Sequence, residues 1–111
     1  MATDKEFITY LLDTLSPVGK LSAKPMFGEY ALYMDDKLLG LVCDNQLFLK
    51  ITSAGRAVLG DDVVEAPAYP GSKPYFLVES VEDTEFMNEL IHKSWQELPF
   101  KKTKTAGVKK I

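Results

Sequence analysis

The chain holds one histidine, His92, and one cysteine, Cys43. A nucleophile–base dyad needs both partners within hydrogen-bond reach in a pocket. His92 falls on the polar side of a helical pattern, where a solvated imidazole is expected rather than a general base. Cys43 ends the apolar run LLGLVC, the setting of a free thiol that packs as a small hydrophobe. Asp44 beside it opposes the thiolate a reactive cysteine requires. A lone cysteine also excludes an internal disulfide and is a poor start for a zinc site. The adjacent carboxylates Asp35-Asp36 and Asp61-Asp62 read as turns rather than metal ligands, because neighbouring side chains on a strand or turn diverge. Gly71-Ser72-Lys73 has the ending of a phosphate loop, but it lacks the spaced first glycine and precedes a strand instead of a helix. The expectation is no catalytic residue, no metal site and no cofactor.

Charge divides the chain in two. Of 13 basic residues, five (Lys101, Lys102, Lys104, Lys109 and Lys110) follow Leu98, where no acid occurs. Residues 1–98 therefore carry eight bases against 16 acids, or −8, within a net charge of −3. An acidic body repels phosphate backbones, which argues against the folded part as a nucleic-acid reader by itself. The tail lysines are candidate nucleic-acid contacts, with Tyr30, Tyr33 and Phe48 as candidate stacking groups. Only Lys50 and Lys73 interleave with the aromatics. No apolar run approaches the ~20 residues of a membrane span, and MATDKEF lacks the layout of a signal peptide. A cytoplasmic protein with no membrane partner is expected.

The elements that position these residues follow from periodicity. Thr3 and Glu6 form a capping-box pattern ahead of Phe7, Ile8, Leu11, Leu12 and Leu15, so a helix is predicted over 3–15, stopped by Ser16-Pro17. Lys24–Ile51 reads as three strands of an antiparallel meander: Met26–Met34, Lys37–Cys43 and Gln46–Ile51. Pro25 marks a strand start or an edge. The first strand puts Tyr30, Leu32 and Met34 on one face and Glu29, Ala31 and Tyr33 on the other. Gly40 implies a bulge or a close approach. Thr52 or Ser53 caps a short helix to Leu59, ended by Gly60. A proline-rich linker follows, with a short extended piece at Val63–Val64, together with Ala66–Tyr69. The strand Tyr75–Glu79 comes next. Ser80 or Asp83 caps a last helix with the apolar stripe Phe86, Met87, Leu90, Ile91, Ser94, Trp95 and Leu98. The fold class is α+β, an antiparallel sheet in the order helix–three strands–helix–one or two strands–helix, with helices mainly on one face. The domain is expected over residues 1–98, with 99–111 a flexible basic tail.

Met26-Phe27-Gly28-Glu29-Tyr30-Ala31-Leu32-Tyr33, then an acidic turn, an apolar strand and Leu47-Phe48-Leu49-Lys50, resemble the N-terminal domain of TfoX/Sxy-type competence regulators. The family pattern is roughly M-F-G-G-Y-G-L-Y followed by L-Y-L-K. Gly71-Ser72-Lys73-Pro74 resembles its G-K-x-x-P segment. Met26, Phe27, Gly28, Tyr30, Tyr33, Leu49, Lys50, Gly71, Lys73 and Pro74 are the residues that carry the match. Glu29 and Ala31 stand where the family usually has glycines, and Pro25 where a basic residue commonly precedes the methionine. The resemblance implies a fold similar to type III secretion chaperones and a stand-alone N-terminal domain, without the C-terminal domain of the full-length regulators. Full-length members of that family act in transcription of competence genes, working with another DNA-bound protein; for this chain the resemblance implies a general regulatory or protein-binding role and no transferable catalytic residue.

Three functional readings follow. The first is a non-enzymatic regulatory or protein-interaction domain with an unknown partner. The second is nucleic-acid binding through the tail and the sheet aromatics. The third is a small-molecule site or undetected enzyme between the sheet and the proline-rich linker, near Tyr69, Lys73 and Tyr75. The broad apolar arc of the last helix and an exposed hairpin edge also fit a homodimer.

Overall fold

Three two-residue turns set the architecture. Phe27-Gly28, Asp35-Asp36 and Asp44-Asn45 all sit at positive φ, between +49° and +83°. That is the type I′ pattern, whose twist matches the right-handed twist of the strands it joins. In this computed structural model, which describes residues 3–99, they link β1 (Leu21–Met26), β2 (Glu29–Met34), β3 (Lys37–Cys43) and β4 (Gln46–Leu49). Helix α1 (Lys5–Thr14) precedes them. After them come α2 (Ser53–Leu59), β5 (Val64–Pro67), β6 (Pro74–Val78) and α3 (Thr84–Glu97). The six strands form one antiparallel sheet in the order β1-β2-β3-β4-β6-β5. The class is α+β, as the sequence implies.

The meander has four strands where the sequence reading has three. Met26 does not open β2; it closes β1, and Phe27-Gly28 turns the chain so that Met26 pairs with Glu29 and Leu21 with Met34. Pro25 lies in the edge strand β1, where its missing N–H costs no ladder bond. Residues 50 and 51, assigned to a strand from the pattern, lie beyond β4.

Nor does the capping box form at α1. The N-cap is Asp4, with no side-chain cap bond. Thr3 is buried, and its hydroxyl lies 2.7 Å from Glu29 Oε1 and 3.2 Å from the Val42 carbonyl, sharing its proton between them. The later caps follow the sequence. Thr52 Oγ1 accepts from Gly55 N at 2.8 Å, and Asp83 Oδ1 accepts from Phe86 N at 3.2 Å.

All three helices lie on one face. Leu11 and Leu15 from the first helical segment and Met87, Leu90 and Ile91 from α3 pack with Leu32, Val42, Leu47, Leu49 and Phe76 of the sheet. Each of these is almost fully buried, and a buried leucine of this kind contributes about 1.5–3 kcal/mol. Trp95 joins the same side, half-buried. Its indole N–H donates to the Met34 carbonyl at 2.7 Å. The ammonium of buried Lys37 lies 3.8 Å from the Trp95 ring centroid and donates to the Trp95 carbonyl at 2.8 Å. The last turn of a helix favours such a cation. His92 is exposed, as expected, and its Nε2 also lies 2.7 Å from the Val18 carbonyl, joining α3 to the α1–β1 connection.

The register slips once. Leu32 faces Gly40, but Tyr33 faces Leu38, so Leu39 is an extra residue and β3 bulges there. On its other side Gly40 meets β4 so closely that a Cβ would lie 2.0 Å from the Phe48 carbonyl oxygen.

Candidate functional site

Among the described residues, the opposite sheet face carries no helix. Ala31, Leu41, Cys43, Phe48 and Tyr75 form a second apolar cluster on it. They are buried because the chain after β5 lies over this face, bringing Ala68 into the cluster. Between sheet and overlying chain is a cavity of about 670 Å³. Cys43 and Phe48 line it from the central strands. Met26 and Phe27 line it from the β1–β2 turn, and Pro67, Ala68, Tyr69 and Pro70 from the β5–β6 connection. Residues at opposite edges of a six-stranded order thus share one cavity, so the sheet is curved around it.

Two hydrogen-bond groups fix its walls. Glu29 and Asp44, which also line it, belong to the first. Glu29 Oε1 accepts from the Thr3 hydroxyl at 2.7 Å and from Asp44 N at 3.1 Å. Thr3 N donates to the Gly28 carbonyl, and Asn45 N to the Thr3 hydroxyl. The segment before α1 therefore clamps two of the tight turns. In the second group, Ser72 Oγ accepts from Ala68 N at 2.9 Å and donates to the Lys73 carbonyl at 2.9 Å, closing the β5–β6 connection on itself.

The Cys43 thiol faces this cavity and is pushed up to about 11, chiefly by burial, then by the negative charges of Glu29 and Asp44. It stays protonated at neutral pH, which agrees with the packed, unreactive thiol read from the sequence. Burial also raises the Tyr75 phenol, and burial together with Lys73 lowers the Lys50 ammonium.

Phe27 is the outlying residue. It is 98% exposed, at φ +52°. Bulky residues rarely occupy that region, at a cost of about 1–3 kcal/mol. Tyr69, 47% exposed, stands across the cavity mouth on the other lining segment.

The residues that carry the family motif separate into groups. Met26, Phe27 and Gly28 form the end of β1 and the first turn. Tyr30 and Leu49 pack toward the helices, and Tyr33 toward the second cluster. Lys50 lies just past β4, while Gly71, Lys73 and Pro74 form the approach to β6. Tyr30, Tyr33 and Phe48, the candidate stacking groups, share no exposed surface: Tyr30 is on the helix side and Phe48 is buried. Lys24 lies 5.3 Å over the Tyr33 ring and Lys73 5.9 Å over the Tyr75 ring. Tyr69 lines the cavity expected beside the linker; Lys73 and Tyr75 are not among its lining residues. The tail lysines Lys101, Lys102, Lys104, Lys109 and Lys110 lie outside the described residues.

Sequence reasoning missed the acidic end of the cavity and the exposure of Phe27. Glu29 read as one polar position on an alternating strand, and nothing local to Thr3 announces a contact with it. Among the described residues, no group of three or more His, Cys, Asp or Glu side chains is placed to hold a metal ion. Among the same residues, no helix is long and apolar enough to cross a membrane.

The TfoX N-terminal domain matches this chain over residues 13–98. The chain is also similar to a relative from Spirochaeta aurantia described as an uncharacterized 12.7 kDa protein in the trpE 5′ region. The two are 36% identical over 110 residues, covering 98% of this chain and 95% of the relative. The domain match takes in every strand and both later helices, and on it the chain belongs to the TfoX N-terminal domain family.

Proposed function

We propose that this domain is a non-enzymatic regulatory module of the cytoplasm that works by binding another protein through the surface around the β1–β2 turn. The observation that carries the reading is Phe27, nearly fully exposed and held in left-handed backbone. An exposed aromatic ring in a strained turn lowers the stability of the isolated chain, and such strain persists where the residue has other work to do. Aromatic side chains beside an apolar pocket are typical anchors of protein interfaces. Family membership supports a regulatory role, and the buried, protonated Cys43 offers no nucleophile. A photo-crosslinking amino acid at position 27, introduced into the producing cell, should trap one specific protein; trapping at position 27 no more specific than at exposed Asp62 contradicts the reading.

A second reading, nucleic-acid contact, draws on Lys24 over Tyr33 and Lys73 over Tyr75 on the helix-free side, together with the five tail lysines. Its binding is salt-sensitive and lost on deletion of residues 100–111. Absence of binding by the full chain at low salt removes it.

A further inference from the structure

The cavity on the helix-free face has one sign of charge. Among the described residues, its charged lining residues are Glu29 and Asp44, both acidic, and the rest of the lining is apolar, aromatic or neutral. Its size, about 670 Å³, is that of a site for a small organic molecule. Both walls are already fixed, one by the Thr3–Glu29–Asp44 bonds and the other by Ser72, so binding would pay little to order them. The two bonds to Glu29 fall on Oε1. Among the described residues Oε2 carries none, and a carboxylate oxygen can only accept.

We propose that this cavity binds a small organic cation: an apolar chain or ring seated against Phe48, Met26 and Ala68, with an ammonium group at Glu29 and Asp44. Among the described lining residues an anion meets no base and faces two carboxylates. A neutral ligand of the same shape gains the apolar contacts but strips water from the carboxylates without replacing it. An ammonium supplies the missing donors, and charge-assisted bonds of this kind are the stronger class. Phe27 and Tyr69 add two aromatic rings to the lining, and aromatic rings attract cations. The buried thiol of Cys43 shows the same field, since both carboxylates act to keep it protonated. The inference does not depend on the interaction reading, because ligand binding is measured without a partner.

The test is a titration of the full chain at pH 7 with octylammonium, octan-1-ol and octanoate, followed by amide NMR shifts. Octylammonium should shift the amides of residues 26–29, 43–46 and 68–69. It should bind about tenfold more tightly than octan-1-ol, the gain expected of a charge-assisted hydrogen bond, with octanoate weakest. Asp44→Asn keeps the backbone N–H that holds Glu29 and should shrink the preference; adding Glu29→Gln should erase it while octan-1-ol binding persists. Trp95 fluorescence confirms that each variant is folded. Equal binding of the three probes, shifts confined to other residues, or no saturable binding by any of them overturns the proposal.

Discussion

At the scale of single residues, Phe27 and Cys43 make opposite use of the same cavity. Phe27 stands at its rim in a conformation that favours asparagine or glycine in a type I′ turn. Phe27→Asn creates the preferred Asn-Gly pair and removes almost no buried area. It should stabilise the fold by about 1 kcal/mol, read as a higher denaturation midpoint by Trp95 fluorescence. Cys43 lies inside, and its thiol is held near 11 against an ordinary value of 9.0. A raised thiol keeps its proton in the folded state after the unfolded chain has lost it. The associated stability is therefore fully present below pH 9.0 and is lost as pH rises through about 11. Cys43→Ala should flatten that alkaline loss relative to the parent, measured by denaturation at pH 8, 9.5 and 11. Tyr75 titrates in the same direction and Lys50 in the opposite one, so the difference between parent and variant is the informative quantity. The burial of Cys43 was legible in LLGLVC. The strain at Phe27 was not, because Phe-Gly is not a standard hairpin pair and only the register reveals the turn.

Among the elements, the contact between α2 and α3 shows why propensity alone misleads. Gly55 reads as a weak point, costing ~1 kcal/mol against alanine within a helix. In the structure a Cβ at Gly55 would lie 2.8 Å from Thr52 Oγ1, 3.0 Å from Ser94 Oγ and 3.1 Å from Phe76 Cε2. Overpacking of this kind costs about 1–3 kcal/mol. Gly55→Ala should thus destabilise by up to about 2 kcal/mol despite its better propensity, checked by urea denaturation. Glu97 adds to the same junction. Its carboxylate accepts from Ser53 N at 3.0 Å and Ala54 N at 2.7 Å, capping α2 from the last turn of α3. Glu97→Ala should cost about 1 kcal/mol, measured in the same way. Periodicity gave α1, α3 and β3 nearly to the residue, and the acidic pairs marked two turns correctly. It missed β1, because Leu-Ser-Ala-Lys-Pro-Met is polar and proline-bearing, as an edge strand is. It missed the role of Thr3, because the partners Glu29 and Val42 are distant in sequence.

For the molecule as a whole, the sheet separates two jobs. One face builds the core with all three helices, and the other curves around a cavity whose lining is supplied by both sheet edges. The family motif straddles the division: Tyr30 and Leu49 serve the core, while Met26 and Phe27 border the cavity. The fold class was legible because alternation and helical periodicity are local. The cavity was legible only as a location beside the linker, since its acidic end depends on β1–β2 and β3–β4 turns meeting in space. The most direct test compares parent and Phe27→Asn chains as bait in cells, with the partner trapped at position 27 as the readout in a quantitative pull-down. The account predicts a variant at least as stable as the parent that loses that partner by tenfold or more, on the order expected of an interface hot spot. A stable Phe27→Asn chain that retains the partner at parental level would contradict it.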